Sequence, residues 1–348
     1  MKATVNDIQH LEKFYENRQL FFGDLHNHAA TGGTSDGKRS LEHWKGALEA
    51  LHMDFAAILD HRQVRHMYLP EWEDGTFICG TEPGTVIDDS NAEKKGVHYN
   101  MLVPTPSHLE DLLAHFEEYK FEGGPEGHFS YPHFTRKRFC EIIDYVKEKG
   151  GFFVHPHPKQ LMVSSDPLDY WFRDETGIEV FYGNMRNEHT ALNYALWTDL
   201  LSLGKRVWAC AGDDGHACAG DAALTAIYAE EKTSASFVSH LRMGDFVCGS
   251  VGIKMCIEDT PMGGICDFTG KRLILSVDHF HKSIANPEHA YRIDIITDSG
   301  VVQSEALRCD EPSYFALNCD DHRFYRVEIF DATQNLRIAI GNPIWNKN

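Results

Sequence analysis

Over the first 255 residues, short apolar runs alternate with segments of helical period. Leu20–Leu25, Phe55–Leu59, Phe77–Gly80, Val97–Val103, Gly151–His155, Gly177–Tyr182 and Val207–Ala211 are compact apolar runs, the pattern of buried strands. Between them Leu41–Leu51, Ser107–Tyr119, Lys137–Lys149 and Thr190–Leu203 carry apolar residues three and four apart, which predicts helices. The third of these runs into Gly150-Gly151, a stop signal. Strand alternating with helix predicts a parallel sheet, open or closed into a barrel.

The pattern changes near residue 255. Beyond it the helical period disappears, and Arg272–Val277, Tyr291–Thr297, Tyr314–Asn318, Phe324–Phe330 and Leu336–Ile340 form short runs divided by turn residues such as Asp298-Ser299-Gly300. The expectation is an α/β unit over residues 1–255 and a small all-β sandwich over 256–348, a division that 348 residues accommodate.

Composition narrows the function classes. Hydrophobic residues at 42% and charged residues at 24% exclude a disordered chain. No apolar run approaches the ~20 residues of a membrane helix. The polar segment Met1–Gln19 lacks the apolar core of a secretory signal, so a cytoplasmic protein with no membrane partner is expected. A net charge of −19, with no large Lys/Arg cluster, repels nucleic acid. The nine cysteines form no C-x-x-C pair and read as buried thiols of a reducing compartment. The run Glu93-Lys94-Lys95 reads as a solvated face, and Trp171-Phe172 and Phe181-Tyr182 as core or pocket wall.

Histidine carries the chemistry. Of the 21, 17 precede residue 255, and many directly follow a strand, where parallel α/β folds place their sites. In Gly23-Asp24-Leu25-His26-Asn27-His28 the two imidazoles are two residues apart, so an extended backbone turns both to one face and they can grip one cation. Asp60-His61 closes the second strand. Glu82 follows the third and offers a carboxylate able to bridge two cations. His98, His155-Pro156-His157-Pro158 and Asp213-Asp214-Gly215-His216 continue the series. One such residue at a strand end is ordinarily structural; five or six in succession point to a site.

This order of motifs resembles the PHP superfamily (polymerase and histidinol phosphatase domains) over about residues 20–255. The resemblance rests on D-L-H-x-H at Asp24–His28, S-D-G at Ser35–Gly37, D-H at Asp60–His61 and G-x-E at Gly80–Glu82. His98, His155-Pro156 and the Gly212–His216 stretch complete it. It implies a distorted seven-stranded (β/α)7 TIM-like barrel holding two or three divalent ions of Zn, Fe or Mn. His26, His28, Glu82 and Asp214 would hold the first. Glu82 would bridge to a second held by His98 and His155, and His61, His216 and Asp36 would take a third. A hydroxide held by these metals would be the nucleophile. Three carboxylates against three divalent ions leave roughly +3, which draws a phosphate dianion despite the acidic surface, because distant charge is screened over about 8–10 Å. The β-domain, ending in Arg326-Val327-Glu328 and Asn342-Pro343-Ile344, is similar to the CehA/McbA-type metallohydrolases, a branch that includes an ester- or carbamate-cleaving activity.

The expected function is therefore a metal-dependent hydrolase, foremost a phosphoesterase of a small phosphorylated metabolite. A hydrolase of another ester or carbamate, and a metal-binding protein without catalysis, stay open as alternatives, as does a homo-oligomer. Arg62 beside His61, His157 and Arg186 are candidate substrate contacts, and Asp60 a residue orienting a ligand or capping a turn. His128, His133 and His189 read as surface histidines. Gly32–Lys38 spells most of a P-loop, but Arg39 stands where the Mg²⁺-binding hydroxyl belongs.

Overall fold

A computed structural model describes residues 2–90, 96–116, 118, 131–158, 172–217 and 224–347. Glu93–Lys95, His128, Trp171, Cys218 and the end of the helix predicted to reach Tyr119 lie outside the described residues. The elements in order are α1 (Val5–Phe14), β1 (Gln19–Asn27), α2 (Leu41–Leu51), β2 (Phe55–Ile58), β3 (Phe77–Thr81), β4 (Gly84–Ile87), β5 (Gly96–His98), β6 (Asn100–Leu102) and α3 (Pro106–His115). Then come β7 (His133–Phe134), α4 (Arg136–Glu148), β8 (Phe152–His155), β9 (Gly177–Tyr182), α5 (Glu188–Ser202), β10 (Trp208–Gly212), β11 (Thr225–Ala229), α6 (Ser234–Met243), β12 (Val247–Gly249) and β13 (Val251–Ile257). The C-terminal part contributes β14 (Thr260–Pro261), β15 (Ile265–Cys266), β16 (Arg272–Phe280), β17 (Tyr291–Thr297), β18 (Gly300–Leu307), β19 (Ser313–Asn318), β20 (Phe324–Asp331) and β21 (Leu336–Asn346).

The chain is mixed α/β, built on a 14-stranded sheet whose path runs β10-β9-β8-β6-β3-β2-β1-β11-β12-β21-β20-β17-β18, with β15 paired to β21. The closed barrel expected from the resemblance is corrected. Among the described residues the path is open, and the chain just after β10 meets β1 through the isolated bridge of Asn27 to Gly215. Nor is the sheet all parallel: β6 runs antiparallel to both β3 and β8, and β11 antiparallel to β1. The strand predicted over Val97–Val103 breaks at Tyr99. Tyr99 is fully buried, donates its N–H to Pro83 O (3.1 Å) and stacks on Phe153 (5.4 Å). Its two halves join different sheets, β5 going to the small β5-β4-β7 sheet.

The predicted boundary at 255/256 falls within β13. β13, β16 and β19 form a second sheet with β14. Ile253, Met255, Leu273 and Leu275 of that sheet share a core with Ile293, Val327, Ile329 and Ala339 of the long sheet. α1 packs on the second sheet through Leu11, which meets Cys256, Ile274 and Ala316. A capping box between Thr4 and Asp7 starts this helix. Among the described residues all cysteines are free, and no helix is long and apolar enough to cross a membrane.

An ionic cluster, buried at His240 and Asp245, ties the entry of β1 to α6. His240 lies 2.9 Å from Glu230 and 3.3 Å from Asp245, which also pairs with Arg18 at 2.6 Å. Burial opposes the charged imidazole, but Asp245 and Glu230 prevail and its pKa is raised. The stabilisation is complete below the unfolded value of about 6.5 and fades as pH rises through the folded value. His240→Gln is expected to lower stability by about 1.5–3 kcal/mol at pH 6. The gap to the parent, followed by thermal melts, should narrow toward pH 9.

Candidate metal centre

The strand ends deliver the site. His26 and His28, two apart at the end of β1, are fully buried with ring centroids 5.3 Å apart. Asp24 fixes this strand end by accepting the N–H groups of His26 (2.9 Å) and Asp213 (3.1 Å), joining β1 to the loop after β10. Asp60, after β2, accepts the Ala29 N–H (2.8 Å) and the Thr31 hydroxyl, so it holds the turn that follows His28. His61, Glu82, His157, Asp214 and His216 lie in the segments after β2, β3, β8 and β10, and His98 ends β5.

Glu82 organises the arrangement, because its two oxygens face different groups. Oε2 lies 3.1 Å from both His26 Nε2 and His28 Nε2, and Asp214 Oδ1 completes this set at 3.5 and 3.2 Å from the same nitrogens. Oε1 lies 3.0 Å from His98 Nδ1 and 3.4 Å from His157 Nε2. Asp36 Oδ1 centres a third set, 3.5 Å from His61 Nε2 and 3.9 Å from His28 Nδ1; His216 Nε2 lies 3.1 Å from Asp36 Oδ1 but does not converge with the other two donors. Four tetrahedral donors around a cation at ~2.0–2.2 Å stand about 3.3–3.6 Å apart, so the spacings of the first two sets fit such an ion. The buried Nε2 atoms of His26 and His157 and Oε2 of Glu82 have no hydrogen-bond partner, the condition of atoms shaped for a ligand. Imidazole and carboxylate donors without thiolate suit Zn, Fe or Mn.

The same groups perturb one another strongly. Burial would push the imidazoles down, yet the carboxylates win. His28 is raised to about 9 by Asp214 and Glu82, and His26 well above its ordinary value by Glu82, Asp214 and Glu179. In return, and against burial, Glu82, Asp214 and Asp36 are held far below the usual carboxylate range. The centre also concentrates backbone strain. Arg62, His157 and Asp214 have φ of 51°, 29° and 53°, conformations that cost about 1–3 kcal/mol each and cluster at functional sites.

Among the described residues one expected ligand lies apart from the others. His155 ends β8 facing Phe172 (4.4 Å) and Phe153 (5.0 Å), and belongs to none of the clustered groups. Burial alone drives its pKa to about 3. The His157 ring, carried on a left-handed backbone turn beyond the strand, is the one that faces Glu82 Oε1, at 3.4 Å. Exchanging each for alanine should separate them. His157→Ala is expected to lose one metal equivalent by elemental analysis. His155→Ala should keep the parent content and lose about 2–4 kcal/mol of stability from the cavity.

Glu179 was not anticipated. It is buried in the middle of β9, accepts from His26 Nδ1 (3.0 Å) and from the His157 N–H (2.8 Å), and so aims both rings at Glu82. The signal was present in Gly177–Tyr182, where an acid inside an apolar strand demands a partner. Gly212 makes room for it, as a Cβ there would sit 2.1 Å from Glu179 Oε1. Tyr182 lines the centre, donating to Asp214 Oδ2 (3.2 Å), while Phe181 is core.

The candidate substrate arginines divide. Arg62 is buried next to His61 and donates to Glu118 O (3.2 Å). Arg186 is turned to Gln334 and lines a cavity of ≈ 700 Å³ between the loop after β9 and the C-terminal sheets. His133 is exposed and pairs with Asp88 (2.7 Å), and His189 lies edge-on to Tyr182 (6.0 Å).

No family model matches the chain, and no curated protein matches it. Solved structures similar to it include an amidohydrolase from Chromobacterium violaceum with bound sulfate and no metal. That likeness has 16% identity over 57% of this chain and 89% of that one, at a TM-score of 0.37. Another is the lesion-specific endonuclease PfuEndoQ from Pyrococcus furiosus, with 12% identity over 64% of this chain and 56% of that one, at a TM-score of 0.45. At these scores neither likeness bears on chemistry, and the site stands on its own geometry.

Proposed function

We propose that the protein is a metal-dependent hydrolase of the PHP kind, acting as a phosphoesterase on a small phosphorylated metabolite in the cytoplasm, without nucleic-acid or membrane partners. The observation that carries this reading is the placing of the two Glu82 oxygens between two separate histidine sets, with Asp36 centring a third. His26, His28, Glu82 and Asp214 would hold one ion, Glu82, His98 and His157 a second, and Asp36 and His61, with His216 beside Asp36, a third. Divalent cations there supply positive charge to a phosphoryl group and lower the pKa of coordinated water.

The chain's own residues do the positioning. Glu179 fixes the tautomer of His26, so that Nε2 keeps its lone pair toward Glu82. The Tyr182 hydroxyl, donating to Asp214 Oδ2, leaves Oδ1 facing His26 and His28. Arg62, next to His61 in the chain, is the candidate contact for a substrate anion.

Elemental analysis of protein purified without affinity metal or chelator, followed by a phosphate-ester screen with Mn²⁺, Zn²⁺ and Fe²⁺, tests the reading. Two or three equivalents per chain and phosphate release are expected. Cleavage of an aryl ester with no phosphate ester turned over would replace the phosphoester assignment. Metal that cannot be restored by reconstitution would overturn the centre itself.

A further inference from the structure

His98 is a ligand candidate on a lightly supported element. It ends a three-residue strand, and its ring is partly exposed, whereas His26 and His28 are sealed in the long sheet. Its Nδ1 faces Glu82 Oε1 at 3.0 Å; with a cation taking the Nδ1 lone pair, Nε2 would bear the proton. That nitrogen lies 2.6 Å from the Tyr131 hydroxyl, with the two rings edge to face at 5.6 Å.

The three-stranded sheet explains how two residues 33 apart meet. His98 on β5 is the register partner of Gly84 on β4. On the other side β4 pairs in parallel with β7, Val86 opposite His133, and that register continued two residues back puts Tyr131 beside Gly84. Pro132 O pins the segment, accepting the Val86 N–H (2.9 Å) and the Thr85 hydroxyl (2.7 Å). Glycine between the two rings is a steric requirement. A Cβ at Gly84 would stand 2.2 Å from Tyr131 Cε1, so any side chain there would push the phenol off His98.

We infer that Tyr131, seated over Gly84, is a positioning residue that accepts the His98 Nε2–H and so directs the Nδ1 lone pair to the second ion, beside Glu82 and His157. The inference rests on the metal-centre reading above. It assigns no contact with substrate to Tyr131.

The test is zinc binding to the metal-free full chain, by competition with a chromophoric chelator, alongside thermal melts of the metal-free protein. Tyr131→Phe keeps the ring and removes only the hydroxyl. It is expected to weaken one zinc ion by about 10–100-fold while leaving the other affinities and the metal-free melt at parent values. Gly84→Ala should weaken the same ion, and the double variant should lose no more than the larger single loss. Parent affinities in Tyr131→Phe, with one ion lost in His98→Ala, would overturn the inference while sparing the centre. Weakening of every ion together with a lower metal-free melt would also overturn it, since that marks a general packing role. If His98→Ala itself loses no ion, the centre reading fails and this inference with it.

Discussion

Glu82→Gln is expected to remove two metal ions at once and to lower hydrolysis by at least about 10²–10³-fold, the scale of losing a single electrostatic group from a site. The amide has the shape of the carboxylate, so the fold has no steric reason to change. It has lost a full negative charge, and one of its two ends now presents hydrogens instead of a lone pair. Whichever end keeps the oxygen, one histidine set loses its shared ligand and both lose half of a counter-charge. Asp214→Asn acts mainly on the set of His26 and His28, 3.5 and 3.2 Å away against 3.8 Å for His157, and should cost one equivalent. Elemental analysis of the two variants side by side separates a bridging carboxylate from an ordinary ligand. Parent metal content in Glu82→Gln would contradict the bridging geometry.

The second large effect lies away from the centre. Glu328 is buried and accepts from Tyr194 (2.6 Å), Arg337 (2.7 Å) and Arg326, which is itself 5% exposed and lies over the Trp197 ring (4.9 Å). Tyr194 and Trp197 belong to α5, the arginines to β20 and β21, so this network binds the helix to the C-terminal strands. Glu328→Ala strands a buried guanidinium and is expected to cost about 3–5 kcal/mol, read as a lower urea midpoint at unchanged slope. Replacing Arg326 and Glu328 together by methionine should cost much less, because no unpaired charge is left behind.

The parts of the centre that follow from local periodicity were legible in the sequence. The His26/His28 pair sits on a strand whose alternation of two applies, and Glu82 closes an apolar run at the place expected. His155 was expected beside Glu82, yet His157 lies there, because a sequence does not show where alternation stops. β8 ends at His155, and the left-handed backbone of His157 reverses the sense of the next ring. Tyr131 left no local trace, since only the pairing of β4 with both β5 and β7 brings it to His98. The open sheet was hidden for a related reason. Buried parallel and antiparallel strands both appear as apolar runs, so the reversal at β6 and the antiparallel entry of β11 have no periodic signature. α1 and α6 carry usable caps, Thr4 and Thr233, but fell outside the apolar runs that guided the reading.

The position of β21 in the long sheet has a consequence for how the molecule is made. Val247 and Cys248 of β12 pair with Gly341 and Ile340, so β12 waits for a segment that is synthesised well after it. Until residues 336–346 leave the ribosome, the half that carries the histidines holds an unpaired, apolar strand edge, the kind that recruits other chains. Yield in the cell should therefore depend on how quickly β21 is delivered and on holdase chaperones during that interval.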